Sequence, residues 1–139
     1  MRHAFTIIEL TVTLCILSIL SAITIPWASE VLDRVKVRSA AVEIESLFSA
    51  ARHIAIARAA QATVEIDPAA QSVSVSVGGD TVRKRDIGAA HDVRLSSTRA
   101  RMSYAATGMG YGAANLSVVV RRNASVDTVF VSRLGRVRH

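Results

Sequence analysis

Only one cysteine, Cys15, occurs in the sequence, so no intrachain disulfide can form and no cysteine pair is available to a zinc ion. The four histidines, His3, His53, His91 and His139, are scattered without an H-E-x-x-H spacing, and no serine stands in a nucleophile elbow. These absences leave no catalytic residue, metal ligand or cofactor to assign, and the chain reads as a non-enzyme. Glycine is missing throughout residues 5–60, and the only proline there is Pro26. A long helix can therefore run through this region with one expected bend, where Pro26 removes a backbone hydrogen bond and crowds the preceding turn. Acid is scarce at the other end. From residue 94 to 139 the eight arginines 94, 99, 101, 121, 122, 133, 136 and 138 face the single carboxylate Asp127, so the net charge of +6 is placed unevenly.

Residues 10–29 carry no charge at all. At about 1.5 Å per residue this run reaches about 30 Å, the thickness of a hydrocarbon core, and predicts a membrane-spanning helix. Glu9 stands beside it among Phe5, Ile7, Ile8 and Leu10. An unpaired carboxylate deep in a bilayer costs roughly 2.5–3.5 kcal/mol. Two readings follow: Glu9 lies at the headgroup level and meets the positive end of the helix dipole, or it pairs with a cation from another chain. A secretory signal peptide fits poorly, because Pro26 and Trp27 precede the best small cleavage residue, Ala28, and Glu9 would charge the apolar region. A lipoprotein signal fits no better, since Leu14 rather than a small residue precedes Cys15, which reads as a small apolar side chain.

The short basic leader MRHA, then FTIIEL, then an apolar run with a late proline, resembles the N-terminus of type IV pilins and of the pseudopilins of type II secretion. The resemblance implies a leader of residues 1–4 cut between Ala4 and Phe5 by a prepilin peptidase, which then methylates the Phe5 amine. The family's assembly glutamate maps onto Glu9, with the implied role of neutralising the N-terminal amine of a neighbouring subunit. Ala4 departs from the glycine usual in the family, though it is also small. Flanking charge alone, with Arg2 before the span and Arg34, Lys36 and Arg38 after it, would place the N-terminus outside. A large following domain translocates regardless of such charge, and the resemblance implies a cytoplasmic leader, an inner-membrane span over 5–29 and an exported body.

Beyond the span the helix is expected to continue over residues 30–61. Val37, Ala40, Ala41, Ile44, Leu47, Phe48, Ala51, Ile54 and Ala55 recur at spacings of three and four, with Arg38, Glu45, Ser49 and Arg52 on another side. Trp27 suits either the membrane interface or a gap in a helix bundle. After Gln61 the period changes to two. Residues 63–67 and 72–77 (SVSVSV) predict strands joined by the loop DPAAQ, and Gly78-Gly79-Asp80 marks a turn before a strand at 81–85. The valines should face the amphipathic helix.

Residues 87–100 are less patterned, with Val93, Arg94 and Leu95 as an edge strand and 99–104 as a further one. TGMGYGAAN, residues 107–115, reads as a surface loop, because a strand-like segment follows it rather than the helix a phosphate loop needs. Residues 116–121 and 126–132 predict a closing hairpin around RNAS. His53, next to Arg52 on the helix, faces solvent or covers a strand.

This order of elements resembles the GspH/FimT branch of pilin-like proteins. The expected fold is α+β: a long N-terminal helix, membrane-spanning in its first half and amphipathic in its second, packed on a small antiparallel β-sheet domain over 62–139. Two readings of the tail stay open. Arg133, Arg136 and Arg138 are a solvated strand end with a bend at Gly135, or they grip the phosphates of DNA, as the Gly-Arg-x-Arg element of FimT-like pilins is implicated in doing. The leading function is a structural, pseudopilin H type subunit of a type II secretion pseudopilus, with the inner membrane and other pilin or pseudopilin subunits as partners. The alternative is a minor type IV pilin that binds DNA through Gly135, Arg136 and Arg138.

Overall fold

The structure, a computed structural model, describes residues 6–111, 115–132 and 134–138. The chain divides into two compact units, Met1–Leu32 and Asp33–His139. Helix α1, Ile7–Ala57, contributes to both.

In the first unit the helix starts at Thr6, whose Oγ1 accepts the Glu9 N–H at 3.2 Å and so satisfies one of the free donors of the first turn. The large apolar side chains from Ile7 to Ile25 are more than half exposed. Four of the hydroxyls among them are already partnered within the helix: Thr11 donates to the Ile8 carbonyl, Thr13 to Leu10, Ser18 to Leu14 and Thr24 to Leu20, each at 2.8 Å. Such back-bonding leaves little for lipid to solvate. Pro26 lies inside the helix, which continues past it.

In the second unit the amphipathic stripe is realised as read. Val37, Ala40, Ala41, Ile44, Leu47, Phe48, Ala51 and Ala55 are buried, and Ile54 is partly buried against them. The helix stops three residues before Ala60. Ala59 takes a left-handed conformation (φ 46°), the Ala60 N–H donates to the Ala55 carbonyl at 3.1 Å and the Ala59 N–H to Ile56 at 3.2 Å. This is a Schellman ending built on alanine instead of glycine.

The β region forms two sheets rather than one. Strands β1 (Ala62–Asp67), β2 (Ser72–Val77), β3 (Asp80–Asp86), β5 (Arg101–Tyr104) and β6 (Gly110–Tyr111) make a five-stranded antiparallel sheet in the order β3-β2-β1-β5-β6. Strands β4 (Arg94–Ser97), β7 (Leu116–Arg122), β8 (Ser125–Val131) and β9 (Val137–Arg138) make a four-stranded one in the order β4-β7-β8-β9. Their inner faces share one apolar cluster with the helix: Val64, Ile66, Val73, Val75 and Tyr104 from the first sheet, Leu95, Val118, Val120, Val129 and Val131 from the second.

The alternation in SVSVSV decides which face is inside, since a strand's side chains alternate with a period of two. Val73, Val75 and Val77 are buried; Ser74 and Ser76 are half-buried on the other side. The loop between β1 and β2 closes through Asp67, whose Oδ1 accepts the N–H groups of Ala69 (2.9 Å) and Ala70 (3.0 Å). Gln71 then ties the two sheets together, since its backbone carbonyl accepts the Gly88 N–H and its side-chain Oε1 accepts the Leu95 N–H of β4.

One stretch without a sequence assignment takes regular form, and two expectations need correction. Residues 87–91 form a short helix, α2 (Ile87–His91), capped by Asp86, whose carboxylate accepts the Ala89 N–H at 3.0 Å. Val93 and Arg99 lie outside the strands expected to contain them, because the left-handed Asp92 (φ 55°) delays β4 to Arg94 and β5 starts at Arg101. The loop expected over 107–115 holds the two-residue strand β6, which pairs with β5.

Candidate functional site

Glu9 occupies the third position of α1 in the sequence Thr-x-x-Glu, the pattern of a capping box. Only half of that box forms. Thr6 accepts the Glu9 N–H, but the Glu9 carboxylate has no hydrogen-bond or ion-pair partner among the described residues. It is an exposed carboxylate next to the exposed side chains of Ile7, Ile8 and Leu10. One helix among the described residues, this one, is long and apolar enough to cross a membrane. Ala4 and Phe5, the residues expected to flank the leader cut and carry the methylated amine, and Arg133 of the tail, lie outside the described residues.

The C-terminal arginines stand on a constructed bend. After β8 the Ser132 N–H donates to the Arg136 carbonyl at 2.8 Å, the Gly135 N–H donates to the Ser132 carbonyl at 2.8 Å, and the Arg136 N–H donates to Ser132 Oγ at 3.2 Å. Strand β9 then returns along β8, with Val137 opposite Val131 and Arg138 opposite Phe130. Gly135 is required twice over. Its φ is +75°, and a Cβ there would fall 2.9 Å from the Tyr104 ring and 3.2 Å from the Gly108 carbonyl oxygen. Val137 is half-buried against the core, while Arg136 and Arg138 on either side of it are exposed.

Two grooves flank this strand. One, of about 280 Å³, brings Arg136 and Arg138 together with Glu45, Ser49, Arg52 and His53 of α1. The other, of about 620 Å³, is lined by the same two arginines with Leu116, Phe130 and Leu134. Beneath the bend, the Tyr104 side chain is fully buried, its hydroxyl without a partner among the described residues and its pKa pushed up to about 12 by desolvation, against the opposing pull of Arg52. The tail was legible in the sequence as a basic end. Its neighbours on α1 were not, because Arg52 and Arg136 are far apart along the chain and share no motif.

Arg122, one of the eight C-terminal arginines, is not a solvated charge. Its Nε donates to Asp33 Oδ1 at 2.6 Å and its Nη1 to the Asp92 backbone carbonyl at 2.9 Å and to the Asp92 carboxylate. Asn123, left-handed in the β7–β8 turn, donates to Asp33 Oδ2 at 2.7 Å. The hydrogen bond from Asn123, then that from Arg122, holds the Asp33 carboxyl below the usual carboxylate range. The hydrogen bond from Arg122 does the same for Asp92, and the backbone N–H groups of Ala70 and Ala69 do it for Asp67.

Carboxylates depressed on folding stabilise the fold above their ordinary pKa, and that stabilisation disappears as pH falls through the depressed value. Folding stability of the detergent-solubilised protein should therefore hold from neutral pH down to about 5 and decline below about 4. Asp33→Asn should flatten part of that acid limb in denaturant titrations. An acid limb identical to wild type would remove Asp33 from the account.

No protein-family model and no curated protein matches the sequence. The backbone is similar to that of the type IV minor pilin FimU of Pseudomonas aeruginosa in two crystal forms. In one the TM-score is 0.66 with 17% identity, covering 76% of this chain and 88% of that one; in the other it is 0.61 with 16% identity, covering 73% and 90%. It is also similar to the minor pseudopilin EpsH from the Type 2 Secretion System of Vibrio cholerae, with a TM-score of 0.57 and 9% identity over 74% of this chain and 94% of that one. The fold is pilin-like.

Proposed function

We propose that this pilin-like chain is a minor subunit of a secretion pseudopilus, joined to other pilin or pseudopilin subunits through its N-terminal helix. The observation that carries the reading is the exposed apolar run of α1 from Ile7 to Ile25, in which the one carboxylate, Glu9, has no partner among the described residues. A prepilin peptidase would cut between Ala4 and Phe5 and methylate the new amine. In the inner membrane Glu9 would then accept the Phe5 amine of a neighbour, removing the roughly 2.5–3.5 kcal/mol cost of a lone carboxylate in hydrocarbon. The apolar helices would bundle, and the β-domains, on the periplasmic side, would be displayed on the filament. No step is catalysed by the chain itself. Expressed beside a secretion system of this kind, the chain should be recovered with sheared pseudopili. Recovery from the membrane fraction alone would overturn the proposal.

The bend at Gly135 favours a second reading, in which the tail binds DNA. A frayed, solvated end needs no glycine packed against Tyr104, whereas this one holds Arg136 and Arg138 exposed on either side of an anchored Val137. Two phosphate contacts would give weak, sequence-independent and salt-sensitive binding, made firm by several subunits acting together. Full-length protein in detergent should bind duplex DNA at low salt and lose that binding in an Arg136→Ala, Arg138→Ala double variant. Equal binding by both proteins would return the tail to the role of a solvated end.

A further inference from the structure

We infer that Arg52 of α1 completes a phosphodiester-binding site with Arg136 and Arg138, an inference that rests on the DNA-binding reading of the tail. The three arginines line one groove with His53, Ser49 and a single carboxylate, Glu45, so positive charge dominates it. Arg52 differs from the two tail residues in one respect. Its Nε is buried and has no acceptor among the described residues. Nε itself is enclosed, but Arg52 as a whole is only half-buried and lines the groove, so the rest of its guanidinium is what an anionic oxygen there would meet.

The position is also held in advance. The backbone at Gly108 passes so close that a Cβ there would fall 3.2 Å from Arg52 Nε and 2.7 Å from the Ile56 side chain. A side chain already pinned loses little freedom when a ligand arrives. The planar fork of arginine presents parallel donors suited to the two free oxygens of a phosphodiester. Arg136 and Arg138 are two residues apart on an extended segment, about 7 Å, a spacing comparable to that of adjacent phosphates along a strand. Arg52 thus receives one phosphate at the inner end of the groove while the tail arginines follow the backbone outward.

The test is duplex DNA binding by full-length protein in detergent, followed by fluorescence anisotropy across a salt series, with thermal melting recorded for each variant. Arg52→Gln should bind about three- to tenfold more weakly and lower the slope of log affinity on log salt by about 0.9, the signature of one lost phosphate contact. Wild-type affinity and slope in Arg52→Gln, with binding still lost in the tail double variant, would overturn this site and leave the tail reading standing. No binding by the wild-type protein would overturn both. If Arg52→Gln melts lower than wild type, Arg52→Lys decides. Weaker binding with an unchanged slope supports the site, because the charge remains and the fork is gone, and wild-type affinity overturns it.

Discussion

Glu9→Lys should insert into the membrane as well as wild type and be absent from the filament. The uncharged run of residues 10–29 is untouched, and a lysine at position 9 reaches the headgroups through its flexible stem. The start of the helix is preserved too, because the Thr6 hydroxyl accepts the backbone N–H of residue 9 whatever its side chain. Only the sign of the charge changes. Two unit charges 4 Å apart interact by about 4 kcal/mol at an effective dielectric of about 20, so reversing one turns an attraction of that order into a repulsion. Glu9→Gln should be intermediate, losing the attraction without adding repulsion. Immunoblots of membrane and sheared-filament fractions separate insertion from assembly. Normal co-assembly of the lysine variant would sink the pairing of Glu9 with a neighbour's amine.

Phe48→Ala should destabilise the second unit by about 3–5 kcal/mol, a large share of the roughly 5–15 kcal/mol that holds a domain together. Phe48 is fully buried in the cluster that α1 shares with both sheets, and its ring cannot be replaced by relaxation of small neighbours such as Ala51 and Ala55. Val42, on the same helix but 48% exposed, is the internal control; Val42→Ala should change stability by less than about 0.5 kcal/mol. Denaturant unfolding of the detergent-solubilised protein measures both. A Phe48→Ala cost near that of Val42→Ala would mean that the helix and the sheets do not share one core.

Much of this core was readable because two periodicities meet in it. The helical stripe from Val37 to Ala55 and the alternation of SVSVSV each state which face is inside, and the structure buries those faces. What could not be read is how the strands divide. Val73 and Val118 belong to different sheets, yet each sits in an alternating valine-rich segment, so nothing local separates them. The five residues of α2 are too few to show a helical period, and β6 is two residues in a glycine-rich stretch whose pairing is decided by β5. The basic tail was visible as charge, and Gly135 as a bend. That Arg122 is held by Asp33 and Asp92, and that Arg52 lies beside Arg136, depends on folding that brings distant segments together.

The sheet borders carry a last consequence. Among the described residues, strand β3 is exposed along its whole length and presents Arg83, Lys84 and Arg85; the other three borders are β4, with four residues, and β6 and β9, with two each. Short or charged borders resist extension by a stray strand. A chain that packs against copies of its own fold, as the proposed function requires, must join by one route and refuse the others. Among the described residues the second unit offers no long uncharged border along which copies could zip into amyloid-like ribbons, which, under the proposed function, would leave polymerisation to the apolar helix.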